Sequence, residues 1–199
     1  MARPFGCGAV GAELVTLREL KGCSLIQRTR QGDLEAFNGL VLACQDQVFQ
    51  HALWMLGEPE AAEEITQETF LLAYRQMRAY RDGDFHIWLL SIASRLCLEA
   101  LRRWENHPFP PSKKVDVDAD DDSVFGGLDQ TEPLEGNVSQ EELEMRVREG
   151  LKQLAPNLRA VLILVDLLDF DYRQAAEILG ISLGNTRNRL ARARVQIRG

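Results

Sequence analysis

The sequence predicts an all-α protein with two small helical domains joined by a flexible acidic linker, the C-terminal domain carrying a helix-turn-helix. Apolar residues recur at helical spacing through residues 24–104 and again through 139–199. Between them, residues 105–138 contain proline, glycine and clustered aspartate in place of an apolar pattern. Near the end, residues 171–194 place small residues, a glycine and a serine where two helices joined by a tight turn need them. We therefore predict an N-terminal extension (1–23), a first domain (24–104), a linker (105–138) and a second domain (139–199).

The helix-turn-helix is predicted from local signals. A first helix is indicated from Tyr172 to Leu179, where Ala175 and Ala176 are small enough to let a second helix cross close above them. Gly180 can adopt the left-handed conformation that ends a helix at low cost, and Ser182 is a natural N-cap for the next helix. The second helix of such a motif can enter the DNA major groove.

The second helix separates an apolar face from a polar one. Its inward residues are Leu183, Thr186, Leu190, Ala193 and Ile197. Asn185, Asn188 and Arg192 point the opposite way, flanked by Arg187 and Arg189. Asparagine pairs with adenine edges and arginine with guanine or phosphate. This pattern favours a DNA-reading surface over a merely solvated basic face, although Thr186 stands where such motifs usually bury an aliphatic residue.

The net charge of -7 is unevenly distributed. The linker (105–138) carries 9 acidic and 2 basic residues, whereas residues 139–199 carry 8 acidic and 10 basic ones. No acidic residue follows Arg187, and 5 arginines do occur from there to the end. Since the local field rather than the average attracts phosphate, the C-terminal tip remains suited to nucleic acid.

The sequence gives no indication of catalysis or of a metal site. The four cysteines are scattered without a C-x-x-C pair, and the three histidines show no ligand spacing with them. Neither a phosphate-binding loop nor a nucleophile constellation is present. Residues 1–23 resemble neither a signal peptide nor a membrane span. We therefore predict a cytoplasmic protein that is not an enzyme, has no cofactor and does not insert into a membrane.

The first domain is predicted to contain four helices. Ser24 caps the first, whose apolar spacing continues to Val41, and the second runs from about Gln45 to Leu56. The third runs from about Glu60 to Ala79, after a break that places Pro59 in its first turn. The fourth runs from about Phe85 to Trp104. In the second domain, one helix begins near Ser139 and another at Pro156 or Asn157.

The third helix presents an acidic face. Its members are Glu60, Glu64, Gln67, Glu68, Leu71 and Arg75. From the residues alone this is either solvated surface or a docking site for a basic partner helix.

Taken together, the chain resembles the extracytoplasmic-function (ECF) sigma factors of bacterial RNA polymerase. The resemblance rests on four segments in order: Leu25–Phe37, Glu60–Phe70, Trp88–Arg103, and the helix-turn-helix ending in Arg189–Arg194. It implies that core RNA polymerase, promoter DNA and an anti-sigma factor are the partners, and that the free protein is a monomer.

The resemblance also implies residue roles. The residues that would bind the clamp helices of the polymerase are Glu60, Glu64, Gln67, Glu68 and Leu71. Those that would open the downstream promoter element and hold its single strand are Tyr80, Arg81, Ser91, Ser94, Arg95, Arg102 and Arg103. Those that would read the upstream element are Asn185, Arg187, Asn188, Arg189, Arg192 and Arg194. The linker would follow the RNA exit path, and we expect it to be mobile in the free protein.

Several residues depart from the family pattern. Ser94-Arg95 replace the usual Arg-Asn, and Glu99 replaces the usual aspartate. The turn segments also differ: Gln174–Ala176 replace Glu-Ile-Ala, and Gly184–Asn188 replace Gly-Thr-Val-Lys-Ser. Two other functions therefore stay open: a polymerase-independent helix-turn-helix regulator, and an adaptor that binds a protein partner but no promoter.

Overall fold

A computed structural model describes residues 24–80, 83–106 and 140–198. The N-terminal part contains α1 (Ser24–Arg30), α2 (Leu34–Leu56), α3 (Pro59–Gln76) and α4 (Phe85–Asn106). The C-terminal part contains α5 (Gln140–Gln153), α6 (Pro156–Leu162), a π-helical segment (Ile163–Leu167), α7 (Tyr172–Leu179) and α8 (Leu183–Arg198). The described residues form helices joined by turns and no strand, which confirms the all-α prediction. The N-terminal extension and most of the linker (107–138) lie outside the described residues.

The chain breaks between α1 and α2 at Gly32, whose φ is 94°. Asp33 then caps α2, because its carboxylate accepts from the main-chain N–H groups of Glu35 and Ala36 at 3.0 and 3.1 Å. The sequence prediction of a helix continuing to Val41 and a new one from Gln45 was wrong, since α2 runs through that stretch without interruption. Glycine followed by a capping aspartate ends one helix and starts the next. Here this signal determines the helix boundary, and the apolar periodicity does not.

The next two boundaries follow the predicted signals. Gly57 ends α2 in the left-handed conformation, with φ of 79°. Pro59 occupies the first turn of α3, where its missing N–H costs no helical hydrogen bond. Beyond α3, the rings of Tyr80, Phe85 and Trp88 contact one another with centroids 4.9–5.7 Å apart. This aromatic cluster fixes the turn that leads into α4.

The C-terminal part contains one element that the sequence did not predict. After α6 the helix widens into the π-helical segment, in which the N–H of Leu168 donates to the carbonyl of Ile163 at 3.0 Å. Asp169 follows with φ of 56°, and the N–H of Phe170 donates to the carbonyl of Leu164 at 2.9 Å. These bonds end the helix and deliver the chain to α7, whose bounds match the prediction.

The two helical domains pack on each other. One continuous set of buried apolar residues includes Leu40, Met55 and Leu89 from the first domain and Val161 and Leu164 from the second. Polar contacts accompany it: the Arg148 guanidinium lies 5.7 Å from the centre of the Trp54 ring, and Lys152 lies 3.7 Å from Glu58. The packing places α4 beside α7 and holds the helix-turn-helix against the first domain.

Candidate nucleic-acid and partner interfaces

The acidic face of α3 is open to solvent. Glu60, Glu64, Gln67 and Glu68 are all exposed, and none of them forms an ion pair within the described part of the chain. Leu71 lies among them with half of its surface exposed (50%). A polar face that leaves a leucine uncovered is suited to a partner that supplies both basic and apolar groups.

An apolar groove runs beside this face between α2 and α3, with a volume of about 420 Å³. Phe37 and Tyr74 form one part of its wall, with ring centroids 4.9 Å apart, and Leu71 and Gln67 join it to the acidic face. Leu34, at one end, is 60% exposed. This groove cannot be predicted from the sequence alone, because it depends on the packing of two helices.

The residues predicted to contact the downstream element differ in their exposure to solvent. Arg95, Arg102 and Arg103 are exposed on α4, and the Arg103 guanidinium donates to Glu99 at 2.6 Å. Ser91 is half-buried, and its hydroxyl donates to the carbonyl of Trp88 at 2.7 Å. Three basic side chains therefore lie on the exposed side of α4. Arg81 lies outside the described residues.

Two of these assignments need correction. Ser94 is 1% exposed, and its hydroxyl lies 2.9 Å from Nε2 of His51 in the core, so it offers no group to DNA in this arrangement. Tyr80 is also buried, and its hydroxyl donates to the carbonyl of Gly83 at 2.8 Å while its ring packs in the aromatic cluster. Both side chains stabilise the domain that carries the surface.

The turn of the helix-turn-helix is built as predicted. Asp171 and Gln174 form a reciprocal capping box at the start of α7. Gly180 ends α7 in the left-handed conformation, with φ of 65°. The hydroxyl of Ser182 accepts from the N–H of Asn185 at 3.2 Å and so caps α8. These local contacts fix the angle between the two helices.

The outward face of α8 is available for DNA. Arg187, Asn188 and Arg192 are exposed, while Asn185 and Arg189 are half-buried. On the inner face Thr186 is fully buried, and its hydroxyl donates to the carbonyl of Ser182 at 3.1 Å, so the polar group is satisfied. Ile197 was predicted to face inward but is 45% exposed, because α8 extends beyond the helices that cover it.

Arg194, predicted to contact the upstream element, is exposed but ion-paired. Its guanidinium makes two hydrogen bonds to the carboxylate of Asp166, at 3.0 and 2.7 Å. In the arrangement seen here Arg194 is therefore engaged within the protein, and no local sequence signal indicates a partner 28 positions away.

The two candidate DNA surfaces meet at a seam between the domains. Arg102 of α4 and Arg189 of α8 line the same cavity, of about 210 Å³, together with Leu98 and Asn157. Neither arginine has an ion pair within the described ranges. The seam thus concentrates positive charge from both domains.

Burial shifts the pKa values of the titratable groups in the core. Burial lowers the pKa of both His51 and His86 to about 4, and raises the pKa of the Cys44 and Cys97 thiols to about 12. Across the described residues, no group of three histidine, cysteine or acidic side chains could hold a metal ion. None of the helices in that part of the chain is long and apolar enough to cross a membrane.

Comparison with known families agrees with this division of the molecule. Residues 40–106 match sigma-70 region 2, and residues 144–197 match sigma-70 region 4. The first match covers α3, α4 and most of α2, and the second covers the helix-turn-helix. The class defined by both matches is the sigma-70 type of transcription initiation factor.

Individual relatives indicate which group of sigma factors the chain belongs to. The chain is 31% identical over 177 residues to the RNA polymerase sigma-H factor of Pseudomonas aeruginosa, covering 87% of this chain and 90% of that protein. It is 30% identical over 175 residues to the ECF RNA polymerase sigma-E factor of Escherichia coli K12, with coverage of 87% and 90%. The chain belongs to the ECF RNA polymerase sigma factors.

Solved structures support the same fold. CnrH, in complex with the cytosolic domain of CnrY, matches with a TM-score of 0.63 at 20% identity, over 87% of this chain and 92% of that one. The sigma factor RpoE of Bartonella quintana, in complex with the anti-sigma factor NepR, matches with a TM-score of 0.58 at 19% identity, over 81% and 94%.

Proposed function

We propose that this sigma factor binds core RNA polymerase through the acidic face of α3, melts the downstream promoter element with α4, and reads the upstream element with α8. The observation that carries the proposal is the presence, on one chain, of an exposed acidic face with an uncovered leucine and a properly capped helix-turn-helix. An independent DNA-binding regulator needs only the second of these.

Charge and exposure on α3 support the polymerase contact. Glu60, Glu64 and Glu68 are exposed carboxylates on one helix face, without ion-pair partners among the described residues. Exposed carboxylates steer a basic partner by their field, and Leu71 gives that partner an apolar contact. The partner that fits is the pair of clamp helices in the polymerase's largest subunit.

The promoter contact divides between two kinds of side chain. Asn188 and Arg192 are exposed on α8 and can form paired hydrogen bonds with base edges in the major groove. Arg187 and Arg189 flank them and suit the phosphate backbone. On α4, Arg95, Arg102 and Arg103 would hold the melted strand, whose separated bases need compensating contacts. We leave Tyr80 and Ser94 out of this assignment because they are buried, and Arg194 because both carboxylate oxygens of Asp166 hold its guanidinium.

Three further properties belong to the proposal. The protein acts as a specificity subunit without catalysing a reaction itself, and it works in the cytoplasm. A dedicated anti-sigma protein holds it inactive, as suggested by the two structural neighbours, which were solved with the cytosolic domain of CnrY and with NepR. The predicted domain bounds (24–104 and 139–199) and the linker between them are retained.

Charge reversal on α3 tests the proposal. In run-off transcription with core polymerase, Glu64→Lys/Glu68→Lys should abolish promoter-dependent transcripts while duplex DNA binding by the free protein persists. The matched control is Asp46→Lys/Glu177→Lys, which changes the net charge equally at exposed positions away from this face. If the α3 variant transcribes normally, and the wild-type protein binds its promoter at nanomolar concentration without polymerase, the independent-regulator function replaces this one.

A further inference from the structure

Asp166 and Arg194 form a two-point ion pair that the promoter-reading scheme does not use. Nε of Arg194 donates to Oδ2 of Asp166 at 3.0 Å, and an Nη donates to Oδ1 at 2.7 Å. A guanidinium held by both carboxylate oxygens has a fixed orientation. The same hydrogen bonds raise the pKa of Arg194, with a smaller contribution from Tyr172, so Arg194 stays charged.

Asp166 lies within the π-helical segment. A π turn accommodates one more residue than an α turn, so it rotates the following side chains by about 100° around the helix axis. Here it leaves Ile163 and Leu164 buried while Asp166 projects at the surface beside α8. This carboxylate is therefore carried by an unusual backbone geometry of the kind often found at functional sites.

The ion pair distinguishes Arg194 from the other three arginines considered on α8. Arg187 and Arg192 are exposed and Arg189 is half-buried, and none of the three has an ion pair within the described residues. Arg194 alone among these four has its charge matched by a carboxylate. Both partners are partly exposed, at 44% and 30%, so the pair contributes little to stability. Its main effect is on the field along α8.

We propose that Asp166 is a positioning residue that holds Arg194 away from the phosphate backbone, so that α8 contacts DNA through Arg187, Arg189 and Arg192 without this fourth cation. This inference rests on the proposed reading of DNA by α8. A cation that contacts phosphate strengthens binding to every sequence alike. Restraining Arg194 therefore lowers affinity for non-promoter DNA and widens the ratio between promoter and non-promoter binding.

The salt dependence of DNA binding tests the inference. The full-length protein is titrated with a non-promoter duplex over a range of salt concentrations, because each phosphate contact adds about 0.9 to the slope of log K against log salt. Asp166→Asn should steepen the slope by about 0.9, and should raise affinity roughly tenfold at 0.1 M salt. Arg194→Met alone should leave the slope unchanged, and the double variant should restore the wild-type value.

A matched control sets the scale of the effect. Arg187→Met removes an exposed arginine of the same helix that is assigned to the phosphate backbone, and should lower the slope by about 0.9. If Arg194→Met lowers the slope as much as Arg187→Met does, or if Asp166→Asn leaves it unchanged, the inference is overturned. A merely structural role for Asp166 would weaken DNA binding and would not strengthen it.

The measurement needs no polymerase. Loss of transcription in the α3 charge-reversal experiment and a change in salt slope are therefore separate results. In transcription assays with core polymerase, Asp166→Asn should also lose selectivity for the promoter when excess non-promoter duplex is present. Unchanged selectivity, measured beside a steeper slope, would contradict the role in discrimination.

Discussion

The guanidinium of Arg159 donates to the main-chain carbonyl of Met55 at 2.6 Å, joining residues 104 positions apart. It also donates to the carbonyls of Lys152 and Leu154, at 2.9 and 3.2 Å. Met55 lies in the last turn of α2, and the other two lie at the end of α5. Helix C-termini present unpaired carbonyls and a partial negative charge, so one buried cation satisfies both ends. Arg159 therefore ties the second domain to the first.

Replacing Arg159 should destabilise the whole protein. Arg159→Met keeps the apolar stem but leaves buried carbonyls without donors, and hydrogen bonds to charged groups contribute about 1.5–3 kcal/mol each. We expect the free energy of unfolding in urea to fall by about 3 kcal/mol. Arg173→Met, at an exposed position on α7, should change it by less than about 0.5 kcal/mol. A loss below about 1 kcal/mol at Arg159 would show that the buried contacts do not couple the domains.

Thr186→Val should be tolerated. The threonine is fully buried, and the Ser182 carbonyl that accepts its hydroxyl also accepts its main-chain N–H, at 3.0 Å. Valine keeps the shape and leaves no acceptor unpaired, so we expect unfolding free energy to change by less than about 1 kcal/mol, with promoter affinity unaltered. A large loss in thermal denaturation would mean that the hydroxyl bond, more than the packing, holds α8 in place.

Acid should destabilise the fold through two buried histidines. Burial lowers the pKa of His51 and His86 to about 4, although the nearby Asp84 partly opposes the shift at His86. Their contribution to stability is complete above the unfolded pKa of about 6.5, and is lost as pH falls toward 4, because only the unfolded state then binds protons. Each histidine should cost up to about 1.4 kcal/mol per pH unit in that window.

Urea denaturation at pH 7.5 and 5.0 measures this loss. The control is His86→Gln, which removes one titrating group and should make the pH dependence shallower. Asp33 does not confound the window, since hydrogen bonds from Ala36 and Arg28 lower its pKa and its effect falls in more acidic solution. Equal unfolding free energies at the two pH values would contradict the burial of neutral histidines.

Side chains on α8 should separate into base readers and phosphate contacts. Alanine at Asn185, Asn188 or Arg192 should cost about 1–3 kcal/mol on the preferred promoter and relax preference at one base position. Alanine at Arg187 or Arg189 should weaken all sequences alike. Competition binding with a set of single-base promoter variants measures both effects. Equal losses on every sequence for all five variants would refute the assignment.

The structural predictions that were confirmed depend on local signals in the sequence. The bounds of α7, the left-handed Gly180 and the Ser182 cap depend on residues a few positions apart, and each was confirmed. The fold class and family followed from such segments in order. The contact of Ser94 with His51 and that of Arg194 with Asp166 span 43 and 28 positions, and neither could be read from periodicity. The roles assigned to surface residues remain predictions, because exposure does not identify a partner.

Core polymerase should separate the two domains. Arg102 and Arg189 line one cavity of about 210 Å³, so the surfaces proposed for the downstream and upstream elements lie close together in the free protein. One helical turn of DNA spans about 34 Å. Two promoter elements that lie more than one turn apart therefore cannot both reach these neighbouring side chains. A lone helix-turn-helix without a dimer partner also buries too little surface for tight binding. The free protein should therefore bind promoter DNA poorly until polymerase holds the domains at a fixed spacing, which raises the effective concentration of the second contact.

Spin labels at Gln50→Cys and Glu177→Cys, both exposed, report the separation once Cys7 and Cys23 are replaced by serine and the buried Cys44 and Cys97 are left in place. We expect the distance to lengthen on adding core polymerase, and to stay short for Glu64→Lys/Glu68→Lys. An unchanged distance in an active holoenzyme would show that both promoter elements are read from the closed arrangement.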